Sequence, residues 1–155
     1  MRDGAAAKDP VRILSVGRAV AKKGYDDLIT ALAALPDNLH WRLDHIGGGL
    51  LGEALRQQAK DMGVADRIVW HGAQPQEAVL QAAREADIFV LASRIAADGD
   101  RDGLPNVLME AQSQGLACIA TEVSAIPELI KHGDTGILVP PQDPGALCRA
   151  LAELI

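Results

Sequence analysis

Three stretches of this 155-residue chain carry residue types able to do chemistry. The first is Gly17-Arg18-Ala19-Val20-Ala21-Lys22-Lys23-Gly24, three cations bounded by glycines directly after an apolar run. Glycine lets a backbone approach a ligand, a helix N-terminus offers free N–H groups, and Arg or Lys neutralises charge. The stretch reads as a phosphate cradle or as a solvated basic turn, and its position in the fold decides between them. The second is Gly47-Gly48-Gly49-Leu50-Leu51-Gly52, which formally satisfies G-x-G-x-x-G, with Asp66 downstream. A dinucleotide fingerprint belongs after the first strand of a βαβ unit, with its acid at the end of the next strand. Here the glycines follow the second apolar run and Asp66 precedes the third. They read as a tight ligand-facing turn with backbone roles, and a nicotinamide dinucleotide is set aside.

The third runs from Ser93 to Ala111 and contains Asp102, Pro105 and Glu110. Proline suits the first position of a helix, so one is expected to begin at Pro105. Eight residues of helix rise roughly 12 Å, too far for Asp102 and Glu110 to share a proton. That separation suits gripping two ends of one elongated ligand.

These stretches need a scaffold, and the pattern of apolar runs supplies one. Strands are expected at Val11–Val16, Trp41–Ile46, Arg67–His71, Asp87–Leu91, Ala117–Thr121 and Gly136–Val139. Helices are expected at Tyr25–Leu35, Leu51–Met62, Gln76–Glu85, Pro105–Gln114, Ile126–His132 and Pro144–Leu154. Leu28, Ile29, Leu32 and Leu35 recur at helical spacing in the first of these. Near-continuous apolar strands alternating with helices predict a doubly wound parallel α/β sheet of about six strands, Rossmann-like, covered on both faces. Ligands of such sheets sit beyond the carboxyl ends of the strands, where all three stretches fall.

Composition narrows the function classes. Asp plus Glu exceed Lys plus Arg by 21 to 15, a net charge of −6, and only four aromatic residues are present. That balance excludes a sequence-independent nucleic-acid binder. Cys118 and Cys148 lack C-x-x-C spacing and read as reduced core thiols. His40, His45, His71 and His132 are scattered without metal-ligand spacing, so no metal site and no cofactor is expected. No apolar stretch approaches the roughly 20 residues that span a bilayer, and a cytoplasmic domain is the expectation. Residues 1–10 read as a linker and 11–155 as one domain.

The motifs together resemble a known family. Gly17-Arg18…Lys23-Gly24, Ile46-Gly47-Gly48-Gly49, Asp102-x7-Glu110-Ala111, Ile126-Pro127-Glu128-Leu129 and Gly136-Ile137-Leu138-Val139-Pro140-Pro141 occur in the order seen in retaining glycosyltransferases of family 4. Those enzymes have the GT-B fold, two facing Rossmann-like domains, and this chain resembles the C-terminal, nucleotide-sugar-binding one. The resemblance implies that Arg18 and Lys23 bind the donor diphosphate, Glu110 the ribose hydroxyls and Asp102 the transferred sugar. It also implies that Gly17, Gly49 and the turn Gly103, Leu104, Pro105 and Asn106 contribute backbone contacts. Arg18, Lys23 and Asp102 would then be the catalytic set, with no bound metal. Family members usually carry Glu where Asp102 stands, and often an acid where Gly48 stands.

The expected function is therefore the donor half of a transferase that moves a sugar from UDP or GDP to a saccharide or lipid-linked acceptor, in bacterial polysaccharide or glycoconjugate assembly. The loop Gly72–Gln76 is expected to help hold the base. The acceptor-binding N-terminal domain is not in the chain, which is read as a fragment or one subunit of a split enzyme, binding without turnover. In the longer protein it would lie in the cytoplasm, at the inner face of the membrane. A non-catalytic nucleotide-binding or interaction module of the same fold is the alternative, and an NAD-binding oxidoreductase domain a weaker one.

Overall fold

The computed structural model describes residues 4–99, 106–123, 126–129 and 136–155. Six strands, β1 (Val11–Val16), β2 (Trp41–Ile46), β3 (Ile68–Trp70), β4 (Ile88–Leu91), β5 (Ala117–Thr121) and β6 (Ile137–Val139), form one sheet in the order β3-β2-β1-β4-β5-β6. All the pairings are parallel. Between and after them run α1 (Tyr25–Ala33), α2 (Gly52–Asp61), α3 (Gln76–Glu85), α4 (Asn106–Ser113), α5 (Ile126–Leu129) and α6 (Pro144–Leu154). The doubly wound, Rossmann-like sheet expected from the sequence is the one observed.

The chain steps outward from β1 to β3 and then returns across β1 to lay down β4. Strand order therefore reverses between β1 and β4, and the loops after these two strands flank the resulting crevice. Side chains alternate along β1 between two core layers. Val11 and Ile13 join Leu28 and Leu32 of α1, Leu55 of α2 and Leu151 of α6. Leu14 and Val16 join Ala83 of α3, Leu108 of α4 and Ile126 of α5 on the other face. All four residues of β4 are buried, as a central strand covered on both sides requires. Each fully buried Leu, Ile or Phe contributes roughly 1.5–3 kcal/mol, so an aliphatic core replaces the missing aromatics.

Element ends depart from expectation by a residue or two, with local causes, while the helix start expected at Pro105 and the helix end expected at His132 lie outside the described residues. Ala65–Arg67 close a 3-10 turn, so β3 starts at Ile68 rather than Arg67. The first helix stops at Ala33 because Ala34 and Leu35 turn back to Ala31 and Leu32 through tighter bonds before Pro36. The last helix begins where expected: Asp143 accepts the Ala146 N–H at 2.9 Å and Pro144 takes the first turn. Ahead of β1, the Gly4 carbonyl accepts the His40 N–H at 2.9 Å. Cys118 is buried in β5, where desolvation pushes its thiol up to about 11, and both cysteines are free. No helix among the described residues is long and apolar enough to cross a membrane.

Candidate functional site

The loop after β1 is shaped by backbone contacts on both sides. The Gly17 N–H donates to the Ile46 carbonyl at 2.9 Å, and the chain then forms a 3-10 turn over Ala21–Lys23. Gly24 follows in the left-handed region, φ 63°, and starts α1; a Cβ there would collide with the Ala92 carbonyl oxygen. Only glycine satisfies both demands. Arg18 is exposed, and among the described residues no carboxylate pairs with it. The stem of Lys23 lies across Gly17, within 3.3 Å of where a Cβ would stand. Both expected cations thus sit on one loop at the switch point.

The glycine turn after β2 packs directly on this loop. The Ala19 N–H donates to the Gly48 carbonyl, and the Leu51 N–H to the Ala19 carbonyl, each at 2.9 Å. A Cβ on Gly49 (φ 153°) would lie 2.6 Å from Ala19 backbone atoms, and one on Gly47 (φ 142°) would collide with the Gly17 carbonyl. Gly47 and Gly49 are therefore required by backbone-on-backbone packing of two loops, whereas a Cβ on Gly48 or Gly52 would meet open space. The Gly47 N–H reaches the Gly72 carbonyl at 2.8 Å, drawing in the loop after β3. A cavity of about 200 Å³ opens among Gly47, Gly49, Arg56, Trp70 and Gly72.

The segment after β4 is tied to the same place. The Arg94 N–H donates to the Lys22 carbonyl at 2.8 Å, and its guanidinium holds Asp26 at 3.0 Å and Asp27 at 3.3 Å. Burial first, then the neighbouring Asp26, raises the Asp27 carboxyl above its ordinary value, while Arg94 opposes the rise. On α4, Glu110 accepts a hydrogen bond from the Gln76 side-chain amide at 2.8 Å. Asp102, Gly103, Leu104 and Pro105 lie outside the described residues, and Asn106 enters only as the backbone opening α4.

Beneath Gly17 lies His45, 2% exposed on β2. Its Nε2 is 2.9 Å from the Gly17 carbonyl oxygen, so this nitrogen carries the proton and donates. Nδ1 is buried with no hydrogen-bond partner among the described residues. Desolvation, with smaller effects from His71 and Arg56, lowers the affinity of His45 for a second proton. The ring is clamped edge-on by Tyr25 at 4.5 Å and Trp70 at 5.3 Å. The sequence pattern alone assigns no site role to His45, Tyr25 or Arg94, and places Gln76 only in the loop expected beside the base; a histidine in an otherwise apolar strand position is the available signal.

A second set of charges pairs along β2. A cleft of about 280 Å³ along β2 holds Arg12, Arg42, Asp44, His71 and Glu85. Asp44 lies 2.8 Å from both Arg42 and His71, and Arg12 lies 3.7 Å from Glu85. Among the described residues no group of three His, Cys, Asp or Glu is placed to hold a metal.

A parallel doubly wound sheet, with a glycine-bounded cationic loop at its switch point and a carboxylate on α4, defines a Rossmann-like domain. The family model described as "Glycosyl transferases group 1" matches residues 10–155, and the chain belongs to that family, as one Rossmann-like half of the GT-B fold. It is 41% identical over 150 residues to the amylovoran biosynthesis glycosyltransferase AmsK of Erwinia amylovora, covering 96% of this chain and 37% of that protein. It is 32% identical over 145 residues to the GDP-mannose-dependent alpha-(1-6)-phosphatidylinositol monomannoside mannosyltransferase of Mycobacterium tuberculosis, covering 92% of this chain and 38% of that one. Among solved structures, the lipopolysaccharide outer core galactosyltransferase WaaB superposes with a TM-score of 0.83 at 29% identity, covering 95% of this chain and 40% of that one. The chain thus spans less than half the length of these relatives. It is homologous to part of bacterial polysaccharide and glycolipid glycosyltransferases.

Proposed function

We propose that this domain holds a UDP- or GDP-sugar for retaining transfer to a saccharide or lipid-linked acceptor. The observation that carries the reading is the loop Gly17–Gly24: Arg18 exposed, Lys23 folded over Gly17, both at the β1–β4 crevice. Breaking the bond between sugar and nucleoside diphosphate leaves a multiply charged diphosphate. Fixed cations and backbone N–H groups at that spot stabilise the charge as it develops, without reorganisation. Arg18 and Lys23 take the diphosphate. Glu110 accepts from the ribose hydroxyls, which suits a carboxylate because it offers two acceptor oxygens.

Asp102 contacts the transferred sugar, and Gly103, Leu104, Pro105 and Asn106 offer backbone groups beside it. Gly17 and Gly49 let the backbone close on the donor, and the loop Gly72–Gln76 borders the base. The acceptor and its binding half come from a second α/β domain, so the domain alone binds donor without turning it over. A thermal-shift panel of UDP-, GDP- and ADP-sugars with NAD tests the reading. Stabilisation by a UDP- or GDP-sugar supports it; stabilisation by NAD alone, or by none of the panel, overturns it.

A further inference from the structure

We infer that His45 is a positioning residue for the anion-binding loop, turning the Gly17–Arg18 peptide so that the Arg18 N–H faces the crevice as a donor to the bound diphosphate. The inference rests on the donor-binding reading above and adds to it one residue and one backbone group.

His45 stands where packing asks for an aliphatic residue. On β2 it shares a face with Trp41 and Leu43, both buried in the layer beneath α1 and α2. Burying an imidazole there leaves Nδ1 without a partner among the described residues, a penalty of the kind native structures seldom keep without reason. The other ring nitrogen supplies the reason. Nε2–H grips the Gly17 carbonyl at 2.9 Å, and Tyr25 and Trp70 hold the ring at that angle. The Tyr25 hydroxyl stands 3.5 Å from the same carbonyl and 3.2 Å from Ser15 Oγ, which donates to the Val90 carbonyl at 2.7 Å. One backbone oxygen is thus fixed from two directions by side chains anchored in β1, β2 and α1.

Fixing that oxygen fixes its peptide partner. In a trans peptide the C=O of Gly17 and the N–H of Arg18 lie in one plane and point opposite ways. With the oxygen drawn inward to His45, the N–H is directed away from the core. Among the described residues nothing accepts from it. Gly17 has no side chain to resist rotation of this peptide, so the strut must come from outside the loop.

The test separates positioning from packing by the sign of two effects. His45→Leu fills the same apolar site and deletes the unpartnered Nδ1; His45→Gln restores an amide donor near the position of Nε2. Calorimetry with UDP and GDP, NMR titration with uridine and guanosine, and melting temperature are measured on the full chain. Expected for His45→Leu is a melting temperature equal to or above the wild type, unchanged nucleoside binding, and a loss of at least about ten-fold in nucleoside diphosphate affinity. His45→Gln recovers part of that loss, and in the wild type the Arg18 amide resonance moves downfield as diphosphate binds. Diphosphate affinity retained in His45→Leu overturns the inference, as does a loss shared equally by nucleoside and diphosphate. A fall in melting temperature with no recovery in His45→Gln makes the role structural and overturns it too. A wild type that binds neither UDP nor GDP overturns the donor-site reading itself, a result distinct from the others.

Discussion

Gln76, the first residue of α3, donates its side-chain amide to Oε1 of Glu110, in the second turn of α4, at 2.8 Å. The bond engages one oxygen of the carboxylate that is proposed to contact the ribose. Glu110→Ala is expected to weaken nucleoside diphosphate and nucleotide-sugar alike by about 1.5–3 kcal/mol, the range for a hydrogen bond to a charged group. Gln76→Ala is expected to lose less, about 0.5–1.5 kcal/mol. Calorimetry with 2′,3′-dideoxynucleotides supplies the check, because both losses should vanish when the ribose hydroxyls are gone.

Asp102→Ala should fail differently. Free nucleoside diphosphate affinity is expected to hold while nucleotide-sugar affinity falls, because the proposed contact of this acid is with the sugar and not the nucleotide. Titrating this variant and Glu110→Ala with both ligands gives four affinities. Equal losses in all four would mean that the two acids support a loop rather than contact the donor.

Donor binding is expected to need no divalent cation, the proposed role of Arg18 and Lys23 being to neutralise the diphosphate. Calorimetry with and without EDTA measures this directly. Strict dependence on Mg²⁺ or Mn²⁺ would rule out the cationic cradle.

Acid should destabilise the fold partly through His45. Burial lowers its folded-state proton affinity below the ordinary value of 6.5, so the unfolded chain takes up the proton first. The stability this neutral histidine contributes is fully present above that ordinary value and is lost as pH falls through the lower, folded one. His45→Leu removes the linkage. Its melting temperature should fall less steeply than the wild type's between pH 7 and the acid limb, and parallel curves would contradict the assignment.

The scaffold was legible because it depends on local pattern. Val11–Val16, Trp41–Ile46, Ala117–Thr121, Gln76–Glu85 and Pro144–Leu154 were each read with the boundaries observed. Apolar periodicity and capping residues act within a turn or two, so they show in the sequence. The cationic loop was legible for the same reason, being continuous in the chain. His45 was not, because its meaning lies in a carbonyl 28 residues earlier. Arg94 gave no signal either, since the two aspartates it holds are 67 and 68 residues away. The run Gly47–Gly49 reads as a turn in sequence, but the need for glycine at 47 and 49 comes from the Gly17–Ala19 backbone pressed against them.

The central claim is that the loop after β1 binds the diphosphate of a nucleotide-sugar. Titration calorimetry of UDP-glucose and GDP-mannose into the wild type and into an Arg18→Ala/Lys23→Ala double variant tests it most directly. The account predicts that the wild type binds one of these donors and that the variant, still folded by its melting temperature, loses at least about ten-fold in affinity. Equal affinity in the two proteins would contradict it.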